Sequence, residues 1–134
     1  MLTCAELFIQ LLDSKGFKYS SRVDNDGDVV VDFPHQGKVT KLFFSGDDGT
    51  YLALFLVYES IPSDKTADML VLCNELNSKY KWVTFYIDKD NDLIVNNNAI
   101  LTPSTAADEA FELMLRMIKI TDELKPTIMR TLYA

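Results

Sequence analysis

The chain is short of the residues on which most active sites are built: one histidine, His35, two cysteines and one tryptophan in 134 residues. A serine or cysteine nucleophile needs a base and usually an orienting acid beside it. His35 follows Pro34 in a turn pattern with no such partner nearby in sequence, so a solvated turn histidine is the plain reading. Cys4 and Cys73 fall on helical patterns, where a free cysteine packs as a small hydrophobe, and two cysteines do not make a disulfide framework. No basic residue is adjacent to Cys73 that would activate its thiol, although Asn74 follows it. A transition-metal site from Cys4, Cys73 and His35 would need three remote residues to converge without one close ligand pair. No catalytic residue, metal or cofactor is therefore expected.

Basic residues are scarce as well, 13 Lys and Arg against 20 Asp and Glu for a net charge of -7. Sequence-independent nucleic-acid binding needs clustered cations to displace counterions, and none are clustered here. No run approaches the ~20 apolar residues of a membrane span. The opening MLTCAELFIQLLDSKG lacks a basic leader and a small-residue cleavage site, which points to the reducing cytoplasm. Gly46 and Gly49 flank Asp47 and Asp48, whose charge would repel a phosphate.

Much of the acidity sits in turns. Asp24, Asp26, Asp28, Asp47, Asp48, Asp88, Asp90 and Asp92 punctuate three connections, where aspartate favours turning backbone. Calcium does not fit: loop positions six and twelve are Leu93 and Ala99 counted from Asp88, and Val29 and His35 counted from Asp24, in place of glycine and glutamate.

A single domain over residues 1–134 is expected, long enough to bury roughly two thirds of its unfolded surface. Thr3 and Glu6 have capping-box spacing, and Leu7, Phe8, Leu11 and Leu12 line one face of a helix that Gly16 closes. The period then changes to two, giving strands over Phe17–Val23, Val29–Phe33, Val39–Phe44 and Tyr51–Tyr58 with short connections, an antiparallel meander. Its first and third turns share an acidic end, and His35, Lys38 and Lys41 lie toward the other. A second helix begins near Ser63 or Asp64 and buries Met69, Leu70, Leu72, Cys73 and Leu76. Asn74 and Asn77 are expected to cap that helix or bind the following backbone. Trp82–Ile87 and Leu93–Val95 form a hairpin, and Asn96 to Asn98 read as a polar strand exit. A long third helix follows Thr105, with Pro126 ending or kinking it near Glu123. The fold class is α+β: N-terminal helix, four-stranded antiparallel meander, helix, β-hairpin and long C-terminal helix.

The fourth strand, YLALFLVY, is apolar at both parities, so both faces need cover. One face is met by helices; the other is met by a further helix of this chain, a second subunit or a bound peptide. The contact set is Leu52, Leu54 and Leu56 or, at the other parity, Ala53, Phe55 and Val57. Met114 and Met117 on the third helix are core fillers or part of an adaptable surface.

The segment LCNELNSKYKWVTFYIDKDNDLIV resembles the YbjN family of small bacterial proteins. The L-x-N-x-x-N helix end at Leu72 to Asn77, the aromatic strand Trp82 to Tyr86, and the acidic hairpin before Leu93 and Val95 carry the resemblance, and the element order extends it along nearly the whole chain. It implies a fold similar to type III secretion chaperones, often dimeric, with association to regulation or to binding of protein segments, and no enzymatic activity. Two functional classes follow. One is a non-enzymatic module that binds a second subunit or a protein client through Leu52, Leu54, Phe55, Leu56, Met114 and Met117. The other is a small-ligand sensor or minor enzyme with a pocket between sheet and helix, using Tyr51, Tyr58, His35 or Asn74.

Overall fold

The computed structural model describes residues 2–134. Its elements run α1 (Thr3–Lys15), β1 (Ser20–Val23), β2 (Val29–His35), β3 (Lys38–Ser45), β4 (Tyr51–Ser60), α2 (Thr66–Lys79), β5 (Thr84–Ile87), β6 (Asp92–Ile100) and α3 (Ala106–Tyr133). The meander expected from the sequence forms, and the hairpin joins it through β6 beside β4. The result is one antiparallel sheet of six strands in the order β1-β2-β3-β4-β6-β5.

Local chemistry explains most boundaries. Gln36 and Gly37 both take positive φ, 49° and 79°, the signature of a tight two-residue hairpin turn between β2 and β3. Gly16, at φ 73°, ends α1 as expected, and Phe17 then packs between Phe33 and Phe111 instead of entering β1. The capping box does not form: Leu2 is the N-cap, no side chain caps the helix, and Glu6 N–H donates to the Leu2 carbonyl. Asn96 to Asn98 belong to β6 and continue its pairing along β4.

Pro126 does not end α3, which runs unbroken over 28 residues. The proline lies on the exposed side, while the buried series Thr121, Leu124, Ile128 and Leu132 continues past it. Proline inside a helix costs about 3 kcal/mol. Burying Ile128 and Leu132, each almost fully enclosed, returns about 1.5–3 kcal/mol apiece, so packing carries the helix through.

All three helices cover one face of the sheet. Phe8 and Leu12 of α1, Met69 and Leu76 of α2, and Met114, Met117 and Ile128 of α3 share one apolar core with the inward residues of the strands. On β4 those are Leu52, Leu54 and Leu56, all nearly inaccessible. Five of the six tentative contacts, Leu52, Leu54, Leu56, Met114 and Met117, therefore lie inside the core. The parity of β4 and the inward stripe of α3 bury them under the helix layer, so they pack and are not available to a partner. Phe55 is the one that faces outward.

Candidate functional site: the open face of the sheet

Among the described residues no helix lies over the opposite face, and β4 supplies its centre with Ala53, Phe55 and Val57. Phe55 stands beside Phe43 of β3, ring centroids 5.7 Å apart and nearly perpendicular, an edge-to-face aromatic pair. Val57 is 54% and Tyr86 of β5 38% exposed. Two outward residues, Val30 and Ile94, are nonetheless almost fully buried, although neither belongs to the core under the helices. Val30 is paired between Arg22 and Phe43 and Ile94 between Val57 and Tyr86, and Ile94 with Phe43, Phe55 and Val57 lines an apolar concavity of about 450 Å³.

Toward β1 the same face becomes ionic. Asp32 receives Arg22 from β1 and Lys41 from β3, each at 3.0 Å, so its charge is met from both neighbouring strands. At the ends of the sheet two turns use one device. Asp24 Oδ1 accepts the N–H groups of Asp26 and Asp28, and Asp88 Oδ1 accepts those of Asp90 and Asp92. Asp28 and Asp88 border the apolar concavity. Partial burial, and then the charges of Asp24 and Asp26, raise the Asp28 carboxyl pKa from its ordinary value.

Among the described residues, Asp24, Asp26 and Asp28 are the one group whose ligand atoms approach closely enough to consider a cation, all within 4.8 Å of one another. Their backbone bonds account for the arrangement as a turn.

The groups proposed for a small-ligand pocket do not converge. Tyr51 lies on the open face and is exposed, and Asn74 is exposed on α2. His35 and Tyr58 do meet, in a cavity between the β2–β3 hairpin and α3 that also touches Lys38 and Asp122. His35 Nε2 is 3.1 Å from Asp122, Lys38 is 3.5 Å from Glu59, and the Lys38 ammonium lies 4.5 Å from the Tyr58 ring centre. Burial, then Asp122 and Glu59, raise the Tyr58 hydroxyl pKa. The cavity holds about 30 Å³, room for a water or two. Both cysteines are buried, and burial raises their thiols; for Cys4 the charges of Asp48 and Glu109 add to it.

The residue that sequence reasoning undervalued is Asn77. Its side chain donates to the Phe85 carbonyl at 2.9 Å and accepts the Phe85 N–H at 2.7 Å, taking the place of a neighbouring strand on the outer edge of β5. This is the backbone-binding role expected of the helix-end asparagines. Farther along that edge, β5 pairs with β6 only from Leu93 to Asn96, so among the described residues the last four of β6 have no strand on that side.

A helix layer on one side of an antiparallel sheet, with an apolar concavity on the other, defines a two-layer α+β fold. The chain belongs to the YbjN family, whose model, described as "Putative bacterial sensory transduction regulator", matches residues 5–123. No curated protein matches it. Among solved structures it is similar to the Yersinia pestis type III secretion chaperone SycH, crystallised in complex with a stable fragment of YscM2. The identity is 13%, the TM-score is 0.51, and 87% of this chain and 98% of that one are covered, a likeness of fold. No helix among the described residues is long and apolar enough to cross a membrane.

Proposed function

We propose that this protein is a non-enzymatic binding module, a chaperone-like or regulatory adaptor, that holds a segment of another protein on the open face of its sheet. The carrying observation is the uncovered Phe43–Phe55 pair with Val57 and Tyr86, an apolar concavity rather than scattered exposed side chains. The SycH complex supports the reading at the level of fold, because that scaffold was crystallised with a fragment of another protein. The family description supports a regulatory setting. Two reduced, buried thiols suit the cytoplasm. The small His35 cavity and the unactivated thiols favour binding over catalysis.

A homodimer requires a surface of its own. Leu70 and Val71, adjacent on the outer side of α2 and 55% and 61% exposed, are the residues we assign to it. Leu70 thus points outward, not into the core as its helical position suggested.

The test compares proteins retained from host lysate by the wild type, by Val57→Asp and by Leu70→Glu/Val71→Lys, with light scattering on each. We expect Val57→Asp, which remains folded because the site is half-exposed, to lose its captured partners at unchanged mass. The α2 variant should fall to monomer. Identical partners on wild type and Val57→Asp would refute the assignment of the face.

A further inference from the structure

The register places Asp28 and Asp88 at diagonally opposite corners of the sheet. Asp28 lies one residue beyond the Val29–Phe44 pair, at the end where β1 turns into β2, and Asp88 one residue beyond the Ile87–Leu93 pair, at the other end. Both nevertheless border the groove over Phe43 and Phe55. The twist of an antiparallel sheet accounts for this, because it lifts one pair of diagonal corners toward a given face. The groove therefore has an apolar floor and an acidic wall at each end.

The charge at these walls is larger than two. Asp24 and Asp26 crowd Asp28, with no basic residue in that turn, and Asp90 and Asp92 stand with Asp88 against the single Lys89. The cation that reaches the groove, Lys41, is held 3.0 Å from Asp32, which also takes Arg22. With Arg22 and Lys41 against Asp32 alone, that cluster carries a formal surplus of +1, smaller than the formal -3 of Asp24, Asp26 and Asp28 and the -2 of Asp88, Asp90 and Asp92 with Lys89, so both corners remain net acidic. A second copy is a poor occupant, since it would bring another net charge of -7 and its own acidic corners to the same place.

We infer that the occupant of the open face is a protein segment with an apolar centre flanked at both ends by lysine or arginine. This rests on the reading of that face as a protein-binding surface and adds the chemistry of the partner. Apolar side chains would cover Phe43, Phe55 and Val57, and the flanking cations would meet the carboxylates at the two corners.

Fluorescence anisotropy with three labelled synthetic peptides tests it: a Leu-Val-Phe-Leu-Val centre with Lys-Lys ends, the same centre with Glu-Glu ends, and a Ser-Gly repeat with Lys-Lys ends. The first should bind at least about tenfold more tightly than either of the others and weaken between 50 and 300 mM salt. Asp28→Asn with Asp88→Asn, which keeps the amide oxygen needed for the second turn, should weaken the first peptide by about three- to tenfold and leave the second unchanged or tighter. If both apolar peptides bind within twofold of each other and both are lost in Val57→Asp, the face is a docking site and the charge assignment is overturned. Equal binding of the Ser-Gly peptide would reduce the effect to charge attraction alone and overturn it as well. Binding that survives Val57→Asp, or no binding of any peptide, would remove the open-face reading itself.

Discussion

Replacing Asn77 by alanine removes both hydrogen bonds that hold the outer edge of β5, one donated to the Phe85 carbonyl and one accepted from its N–H. Each net hydrogen bond is worth about 0.5–1.5 kcal/mol. Water can reach this edge and recover part of the loss, so the pair should contribute about 1–2 kcal/mol. For a domain of this size that corresponds to a fall in Tm of roughly 3–8 °C. Urea and thermal unfolding followed by circular dichroism give the value directly. Asn77→Asp separates the two bonds, because the carboxylate still accepts the Phe85 N–H but repels its carbonyl, and it should destabilise at least as much as alanine. Phe85 itself is fully buried, so β5 should loosen as a unit, read as faster amide exchange at Tyr86 and Ile87. A change below about 0.3 kcal/mol in Asn77→Ala, with unchanged exchange in β5, would refute the idea that this side chain substitutes for a strand.

Pro126→Ala restores a helix hydrogen bond at an exposed position of α3 and should raise stability by about 1–2 kcal/mol; a loss would mean that the proline relieves a bend the helix needs. Both thiols should react with a chromogenic disulfide reagent only after denaturation, because Cys4 and Cys73 are buried and their pKa values are raised; rapid reaction of the native protein would contradict that packing. Asp28→Asn should stabilise the protein near pH 7. The folded state holds the Asp28 proton more tightly than the unfolded chain, so the wild type carries a penalty that builds as pH rises from the ordinary value of 3.8 through the raised folded one. The Tm gap between variant and wild type should therefore close on acidification below that value, and a gap that widens would reverse the sign of the coupling.

Hydrophobic period and turn chemistry carried most of the fold in the sequence: the meander, the hairpin and the element order were legible, whereas α2 begins at Thr66, after a short turn over Ser63–Lys65, and neither it nor α1 has the side-chain cap that was expected. The illegible parts were those decided by distant residues. Pro126 is a strong local stop, and it fails because Ile128 and Leu132 are buried in the shared core, at the end of α3 that lies beside α2. Asn96 to Asn98 have poor strand propensity, yet β4 is long enough to pair with them all, and Asn96 also donates to the Leu54 carbonyl at 2.9 Å. The open face was legible as a demand, from the two-sided apolar pattern of β4, but not by parity. Leu52, Leu54 and Leu56 are as hydrophobic as any exterior patch could require, and only the position of the helix layer separates them from Phe55 and Val57.

The acidic turns show why composition alone could not settle their role. Asp24 and Asp88 are punctuation, each accepting two backbone N–H groups in the same pattern. A hairpin needs only that first carboxylate, and asparagine would serve in its place. The additional acids at Asp26, Asp28 and Asp90 do not add a further backbone bond of this kind, and at Asp28 partial burial, and then the neighbouring charges, make ionisation less favourable. Turn chemistry therefore accounts for one aspartate per corner and leaves the rest as a net field over the groove. A pair of variants divides the two contributions. Asp24→Ala should destabilise the β1–β2 hairpin by about 1 kcal/mol through loss of the side-chain acceptor, whereas Asp26→Asn should leave stability unchanged or raised and weaken only the binding of a cation-flanked segment. If Asp26→Asn destabilises the fold as much as Asp24→Ala, the surplus acids are structural after all, and the field over the groove is a by-product of the turn.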